Sequence, residues 1–189
     1  MSYSLNSFMR YFEFAPTKPP TPQQARLNSL KQRAEIAKQA VEFLKEVDAI
    51  NLRARQRIIE LVRRDLSEDL VGKKVAILGA AFKPDSDDVR DSPALDIAVQ
   101  IQAAGAIVTV HDPKAIANAQ KRFPVLNFST EINDTLKDAE IVLHLTEWKI
   151  YREIDPVKVK SLVKNATMID GRNALDRQLW RNAGWKFRA

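Results

Sequence analysis

The chain has 189 residues, of which 45% are hydrophobic, and it carries a net charge of +6 with two histidines and no cysteine. This composition excludes disulfides and zinc–thiolate sites and argues against most other transition-metal sites. No stretch approaches the roughly 20 apolar residues of a membrane-spanning helix. The N-terminus also lacks the basic and then apolar pattern of a secretory signal, so we expect a cytoplasmic protein.

Most of the positive charge lies near the N-terminus. Residues 1–40 contain six basic and two acidic side chains, which supply +4 of the net +6. Basic helices bind nucleic acid or acidic partners, but these charges alternate with apolar residues at helical spacing and form no block. We therefore interpret them as a solvated helix face, and nucleic-acid binding stays open only as a minor alternative.

The sequence divides into three segments, of which the first two are an arm and a helix. Residues 1–20 contain five aromatic side chains and three prolines, a composition typical of an arm that packs on another surface. Residues 21–71 predict a long helix, because Thr21-Pro22-Gln23-Gln24 combines a capping box with a proline in the first turn. We expect this helix to mediate dimerisation.

The expected dimer contact rests on an apolar stripe in the helix. Its early members follow a 3-4-3-4-3 spacing, which is typical of helices that pair. A stripe of this length is too long for one small domain to cover, so a homo-oligomer is expected. The stripe begins with Leu27, Leu30, Ala34, Ala37, Val41 and Leu44.

The third segment, residues 72–189, alternates between strand and helix patterns. This alternation predicts an α/β fold, with a Rossmann-like parallel sheet that has helices on both faces. Strands are expected near 73–79, 106–111, 140–146, 166–170 and 185–188, and helices near 93–104, 114–122, 131–138, 155–164 and 176–183.

The loop 79–93 is the first candidate site, because it follows the apolar run 75–78 and ligands bind at the carboxyl ends of parallel strands. It has no G-x-G-x-x-G fingerprint, so it does not predict a standard dinucleotide site. Lys83 and Arg90 in this loop could bind an anionic ligand. The four aspartates among residues 85–91 could equally pair with both cations.

Further polar motifs follow other predicted strands. Thr146-Glu147-Trp148 comes after the run 141–145, where Glu147 could cap the next helix. Arg172, just after the strand 166–170, is placed for a phosphate contact or for an ion pair with Asp170. Asp112 occupies the position of a ribose-binding acid, but Asp112-Pro113 is also an ordinary turn and helix start, which we prefer.

Several of these motifs together resemble a known family. Phe82-Lys83, the acid-rich stretch, Arg90 and Ser92-Pro93 are similar to the start of the C-terminal, UDP-binding domain of UDP-glucose 6-dehydrogenases and other nucleotide-sugar dehydrogenases. The motifs at 146–148 and 170–173 occur in the same order there, and residues 45–51 resemble the central dimer helix. The resemblance covers residues 41–189.

The resemblance implies roles for four residues. Phe82, Lys83 and Arg172 would bind the UDP-sugar, and Arg90 would reach the NAD held by the family's N-terminal domain. The family converts UDP-glucose and two NAD into UDP-glucuronate through a cysteine nucleophile, which these 189 residues do not contain. The resemblance therefore implies a UDP-sugar-binding domain that is inactive alone, with no catalytic residue and no tight NAD binding. The alternative is an oligomerisation module with a vestigial ligand site.

Overall fold

The protein is described here from a computed structural model of residues 19–189. The predicted aromatic arm, apart from its last two residues, lies outside this described part. The chain divides into two units, 1–48 and 49–189. None of the helices in the described part combines the length and hydropathy needed to cross a membrane.

The first unit contains the start of helix α1, which spans Pro22–Asp65. The predicted capping box is present: the Gln24 amide donates to the Thr21 hydroxyl at 3.3 Å, and the Gln24 side chain accepts from the Thr21 amide at 3.0 Å. The apolar stripe is exposed within this unit. Its large members are half or more exposed, and so are two apolar side chains outside the stripe, Ile36 and Phe43. The exposed stripe members are Leu27, Leu30, Val41 and Leu44.

The second unit consists of the rest of α1 and a six-stranded parallel sheet. The strands are β1 (Lys74–Leu78), β2 (Ile107–His111), β3 (Asn127–Ser129), β4 (Ile141–His144), β5 (Thr167–Asp170) and β6 (Lys186–Arg188). The other helices are α2 (Pro93–Ala103), α3 (Ile116–Arg122), α4 (Ile132–Leu136), α5 (Lys149–Arg152), α6 (Pro156–Val159) and α7 (Arg177–Asn182).

The strand order β3-β2-β1-β4-β5-β6 is that of a doubly wound Rossmann sheet. Every residue of β4, and every residue of β1 after Lys74, is buried. Consecutive burial in a strand requires cover on both faces, which explains why these strands are continuous apolar runs. The predicted fold class is therefore confirmed. β1 and β4 are parallel neighbours, and successive strands are added outward from them in opposite directions, so the strand order switches between them. Ligands of such sheets bind at this switch point.

Three short elements differ from the sequence prediction. Strand β3 and helix α5 were not predicted, because three or four residues are too short to show a period. Helix α6 ends at Val159, before its predicted end at 164. The chain continues after it with a tight turn in which the Leu162 amide donates to the Val159 carbonyl at 3.1 Å.

Gly79 directly follows β1 and packs closely against Thr146, which lies just after β4. Its φ is +107°, and a Cβ atom there would lie 2.4 Å from Cβ of Thr146. The Thr146 hydroxyl also donates to the Ala81 carbonyl at 2.8 Å, so the two chain segments are fixed against each other. Only glycine allows both this backbone conformation and this close approach.

We predict that Gly79→Ala lowers the free energy of unfolding by about 3 kcal/mol or more, because backbone strain and overpacking add. Gly72→Ala is the matched control, since its φ is +70° but nothing lies within 4 Å of the added methyl group. The control should lose only about 1 kcal/mol. Urea unfolding of both variants measures this, and equal losses would contradict the close-approach argument.

Candidate functional site

A cleft of about 310 Å³ opens where the carboxyl ends of the strands meet helix α1. The loop after β1 contributes Phe82 and Lys83, the loop after β5 contributes Arg172, and α1 contributes Asn51 and Arg55. The structure therefore brings together the three residues predicted to bind a UDP-sugar. They come from segments that are about 90 positions apart in sequence.

The base of the cleft is apolar, whereas its rim is charged. Ile58 of α1, Ile97 of α2 and Leu145 after β4 form part of its lining. Phe82 is 50% exposed, an unusual state for a phenylalanine beside a free apolar surface. Lys83 makes no ion pair with any residue in 19–189, so its ammonium group is available to a ligand.

The loop that carries Phe82 and Lys83 is closed on itself. The Phe82 amide donates to the Asp88 carbonyl at 2.8 Å, and the Asp88 amide donates to the Ser86 hydroxyl at 3.1 Å. The hydroxyl of Ser92, the N-cap of α2, donates to the Ala80 carbonyl at 2.7 Å. These bonds hold the loop over the start of α2.

Arg172 is held by Glu147. Its Nη2 atom donates to Oε1 of Glu147 at 3.0 Å, and its Nε atom donates to the other carboxylate oxygen. The hydrogen bond from Arg172 lowers the pKa of the Glu147 carboxyl, although partial burial opposes this. The expectation that Glu147 caps the next helix is wrong, because Trp148 is the N-cap of α5 and this helix has no side-chain cap.

Asp170 organises the loop that carries Arg172. One carboxylate oxygen accepts from Nδ1 of His144 at 2.7 Å and from the Arg172 amide at 3.0 Å. The other accepts from the amides of Ala174 and Leu175, both at 2.8 Å. Asp170 therefore bonds the backbone of Arg172 and not its guanidinium, so the ion pair considered as the alternative to a phosphate contact does not form.

These contacts lower the pKa of Asp170. Burial alone would raise it, but the hydrogen bonds from His144 and from the backbone amides outweigh burial and favour the carboxylate. The His144 imidazole is fully buried, and its Nε2 atom has no hydrogen-bond partner within residues 19–189.

Asp112, directly after β2, resembles Asp170 in that both of its carboxylate oxygens accept hydrogen bonds from the protein. Its Oδ2 atom accepts from the Ala80 and Ala81 amides and from the indole of Trp148. Its Oδ1 atom accepts from the Lys114 and Ala115 amides at 2.9 and 2.8 Å. The carboxylate holds the turn before α3, and its acceptor positions are taken by five donors of the protein rather than by a ribose.

Arg90 lies outside the cleft. Its side chain is 78% exposed and forms a bidentate ion pair with Asp88. Nη2 donates to Oδ2 at 2.8 Å, and Nε donates to Oδ1 at 3.0 Å. The hydrogen bond from Arg90 lowers the pKa of Asp88 to about 2. Arg90 thus takes no part in the cleft formed by the other three predicted site residues.

Comparison with known proteins identifies the family of the domain that contains this cleft. The sequence model of the UDP-glucose/GDP-mannose dehydrogenase family, UDP binding domain, matches residues 76–177. The chain belongs to this family. The matched region contains Phe82, Lys83 and Arg172 together with the end of β1 and all of β2, β3, β4 and β5.

Individual relatives agree with the family match. UDP-glucose 6-dehydrogenase TuaD of Bacillus subtilis is 34% identical over 157 residues, which cover 81% of this chain and 34% of that protein. UDP-glucose 6-dehydrogenase of Rhizobium meliloti is 38% identical over 105 residues, covering 56% of this chain and 24% of the relative. The chain thus spans about a third or less of the length of these relatives.

Solved structures show the same partial overlap. A UDP-glucose dehydrogenase from Pyrobaculum islandicum has a TM-score of 0.63 and 28% identity, covering 74% of this chain and 30% of that one. An NDP-N-acetyl-D-galactosaminuronic acid dehydrogenase from Methanosarcina mazei has a TM-score of 0.61 and 26% identity. The match covers 71% of this chain and 28% of that one.

Enzymes of this family use NAD. The end of β1, where a Rossmann domain would hold a dinucleotide, does not fit that cofactor here. The Ala80 and Ala81 amides, which would face a pyrophosphate, donate instead to Asp112. Nor does the described part of the chain contain a group of three or more metal-binding side chains.

Sequence reasoning missed the contribution of α1 to the cleft. Asn51 and Arg55 lie one helical turn apart and face the same way. Nη1 of Arg55 also donates to Oδ2 of Asp96 on α2 at 3.1 Å, which links the helix to the sheet domain. Asn51 ends the stretch 45–51 that resembles the family's central helix, and this was the one available signal.

We predict that Asp170→Asn lowers the free energy of unfolding by about 3 kcal/mol at pH 7, because an amide cannot accept at both positions. The folded-state pKa of Asp170 is lowered, so its contribution is complete above the ordinary value of 3.8 and is lost as the pH falls below it. The difference between wild type and variant should therefore shrink below about pH 4.

The matched control is Asp176→Asn, since Asp176 is the exposed N-cap of α7 and asparagine caps helices equally well. Urea unfolding between pH 7 and pH 3 tests both variants. A pH-independent loss in Asp170→Asn would show that the ionised carboxylate is not the stabilising group.

Proposed function

We propose that the cleft binds the nucleoside diphosphate part of a UDP-sugar. The observation that carries the proposal is the meeting of Phe82, Lys83 and Arg172 in one cleft of a UDP-binding family domain. The site lies at the topological switch of the sheet, where this fold class binds its ligands. UDP-glucose is the proposed sugar nucleotide, because the curated relatives described above are UDP-glucose 6-dehydrogenases.

The two cations suit a diphosphate. Lys83 offers a compact charge, and Arg172 offers a planar fork. Because Glu147 takes Nε and Nη2 of Arg172, the Nη1 atom, which has no hydrogen-bond partner in residues 19–189, remains for a phosphate oxygen. The exposed ring of Phe82 would cover the sugar or the base.

The oxidation of the sugar is proposed only for a complete enzyme. There, Arg90 would reach an NAD held by another part of the protein, which fits its exposure outside the cleft. The covalent route requires a cysteine thiolate, and the 189 residues contain none.

We predict UDP binding with a dissociation constant on the order of 0.1–10 mM, because half of a two-domain site is open to water. Lys83→Ala and Arg172→Ala should each weaken binding about tenfold, or about 1.4 kcal/mol. NMR titration with UDP measures both the affinity and the position of the site.

Arg90→Ala is the matched control, since it removes a loop cation that lies outside the cleft; it should change the UDP affinity less than about twofold. Shifts that map away from Phe82 and Lys83, or equal effects of all three substitutions, would sink the binding proposal.

We predict that the 189-residue chain forms no NADH from UDP-glucose and NAD, because it supplies no thiol nucleophile. Absorbance at the NADH wavelength, with a full-length family dehydrogenase as positive control, tests this. Steady NADH formation by the homogeneous protein would contradict the proposal that this chain only binds the UDP-sugar and that oxidation requires the complete enzyme.

The exposed stripe of α1 supports a second proposal, that the chain is a homodimer through residues 27–62. An oligomerisation module with a vestigial ligand site would present the same stripe, and only UDP binding separates that alternative from the first proposal.

We predict a sedimentation mass of at least twice 21.4 kDa at micromolar concentration. Leu30→Glu/Leu44→Glu places charges in the stripe and should give a monomer. Gln32→Glu/Gln39→Glu adds the same charge on the opposite side of the helix and should leave the dimer intact. A wild-type monomer would contradict the prediction.

We also propose a cytoplasmic location, which the sequence predicts. Fractionation of cells that express the tagged protein tests it, with a cytoplasmic enzyme and a membrane protein as markers.

A further inference from the structure

A second concave surface lies nearer the end of α1 and on a different face of that helix from the cleft of Phe82, Lys83 and Arg172, which we call the UDP cleft. It has a volume of about 310 Å³ and is formed by the end of α1, by α7 and by β6. The charged side chains that line it are all arginines: Arg57, Arg64, Arg177, Arg181 and Arg188. We call this surface the arginine cleft.

Helical spacing arranges four of these arginines in two pairs. Arg57 and Arg64 are seven residues apart on α1, and Arg177 and Arg181 are four apart on α7, so each pair shares one helix face. Leu61 lies between the first pair and is partly buried against the core. The packing of the two helices brings both pairs to the same cleft.

The positive charge of the arginine cleft is only slightly neutralised. Asp65 accepts from Nε and Nη2 of Arg188 at 2.8 and 2.7 Å, and the same carboxylate accepts from Lys186 at 2.8 Å. One negative charge is thus shared by two cations.

The other four arginines have no such partner. None of the ion pairs within residues 19–189 includes Arg57, Arg64, Arg177 or Arg181, whereas Arg172 in the UDP cleft is held by Glu147. Like charges at short range repel each other, and this repulsion is relieved when an anion binds between them.

We propose that the arginine cleft binds a small anion with three or more linked phosphate groups. Arginine forks match phosphate oxygens in pairs, and a cluster of them favours multivalent phosphate over a single carboxylate. Arg57 and Arg64 are about 10 Å apart along the helix axis, so linked phosphates can reach both while also contacting α7. The concave shape favours such a compact ligand over a nucleic-acid backbone, which needs an extended basic track.

The test is a calorimetric titration with inorganic tripolyphosphate at constant ionic strength. Arg57→Gln/Arg64→Gln and Arg177→Gln/Arg181→Gln should each weaken binding at least tenfold. The control Arg53→Gln/Arg63→Gln removes the same charge from the same helix outside the cleft and should change affinity less than twofold. UDP binding should stay the same in all three variants, which separates this site from the proposed function and shows that each variant is folded.

Two results would overturn the proposal. Equal weakening by the control pair would mean that tripolyphosphate senses only the net charge of the protein. Tighter binding of a 20-base-pair DNA duplex, reduced equally by all three variants, would assign these arginines to an extended polyanion surface instead. Loss of binding in the two cleft variants alone supports the proposal.

Discussion

The hydrogen bonds to the Asp112 carboxylate are the constraint on which the site depends. This single buried group accepts from two amides after β1, two amides before α3 and the indole of Trp148 after β4. Hydrogen bonds to a charged group contribute about 1.5–3 kcal/mol each, and without the carboxylate five donors, four of them in buried bonds, would lose their acceptor. The chain that leads into Phe82 and Lys83 is therefore fixed at its first two residues, and these two side chains are presented from a defined position.

Asp170 has the corresponding role on the other side of the switch point. It fixes the loop of Arg172 through three amides and joins it to β4 through His144. Acids at strand ends of a Rossmann domain often contact a ligand, but here both are consumed by the protein itself. The acids hold the loops and the cations face the cleft, an arrangement suited to an anionic ligand.

The sequence predicted the fold well where side chains repeat over many residues. The buried runs of β1 and β4 and the capping box of α1 identified those elements, whereas β3 and α5 are too short to show a pattern. Phe82, Lys83 and Arg172 were found from local motifs at strand ends. The pairing of Arg172 with Glu147 was not predicted, because it joins residues 25 positions apart through the positions of β4 and β5. Asn51 and Arg55 were missed for the same reason, since only the docking of α1 brings them to the cleft.

The distribution of charge shows why a regional sum is a poor guide to binding. Residues 1–40 hold +4 of the net +6, so residues 41–189 hold only +2, and the sequence directed attention to the N-terminus. In the folded second unit, however, many acidic side chains form ion pairs with nearby cations, as Asp88 does with Arg90. The arginines of α1 and α7 that line the arginine cleft come together without a carboxylate partner among residues 19–189. Exposed charges interact over about 10 Å at ordinary ionic strength, so the field at a cleft depends on its immediate neighbours. A nearly neutral segment can therefore contain a strongly basic site once its helices pack.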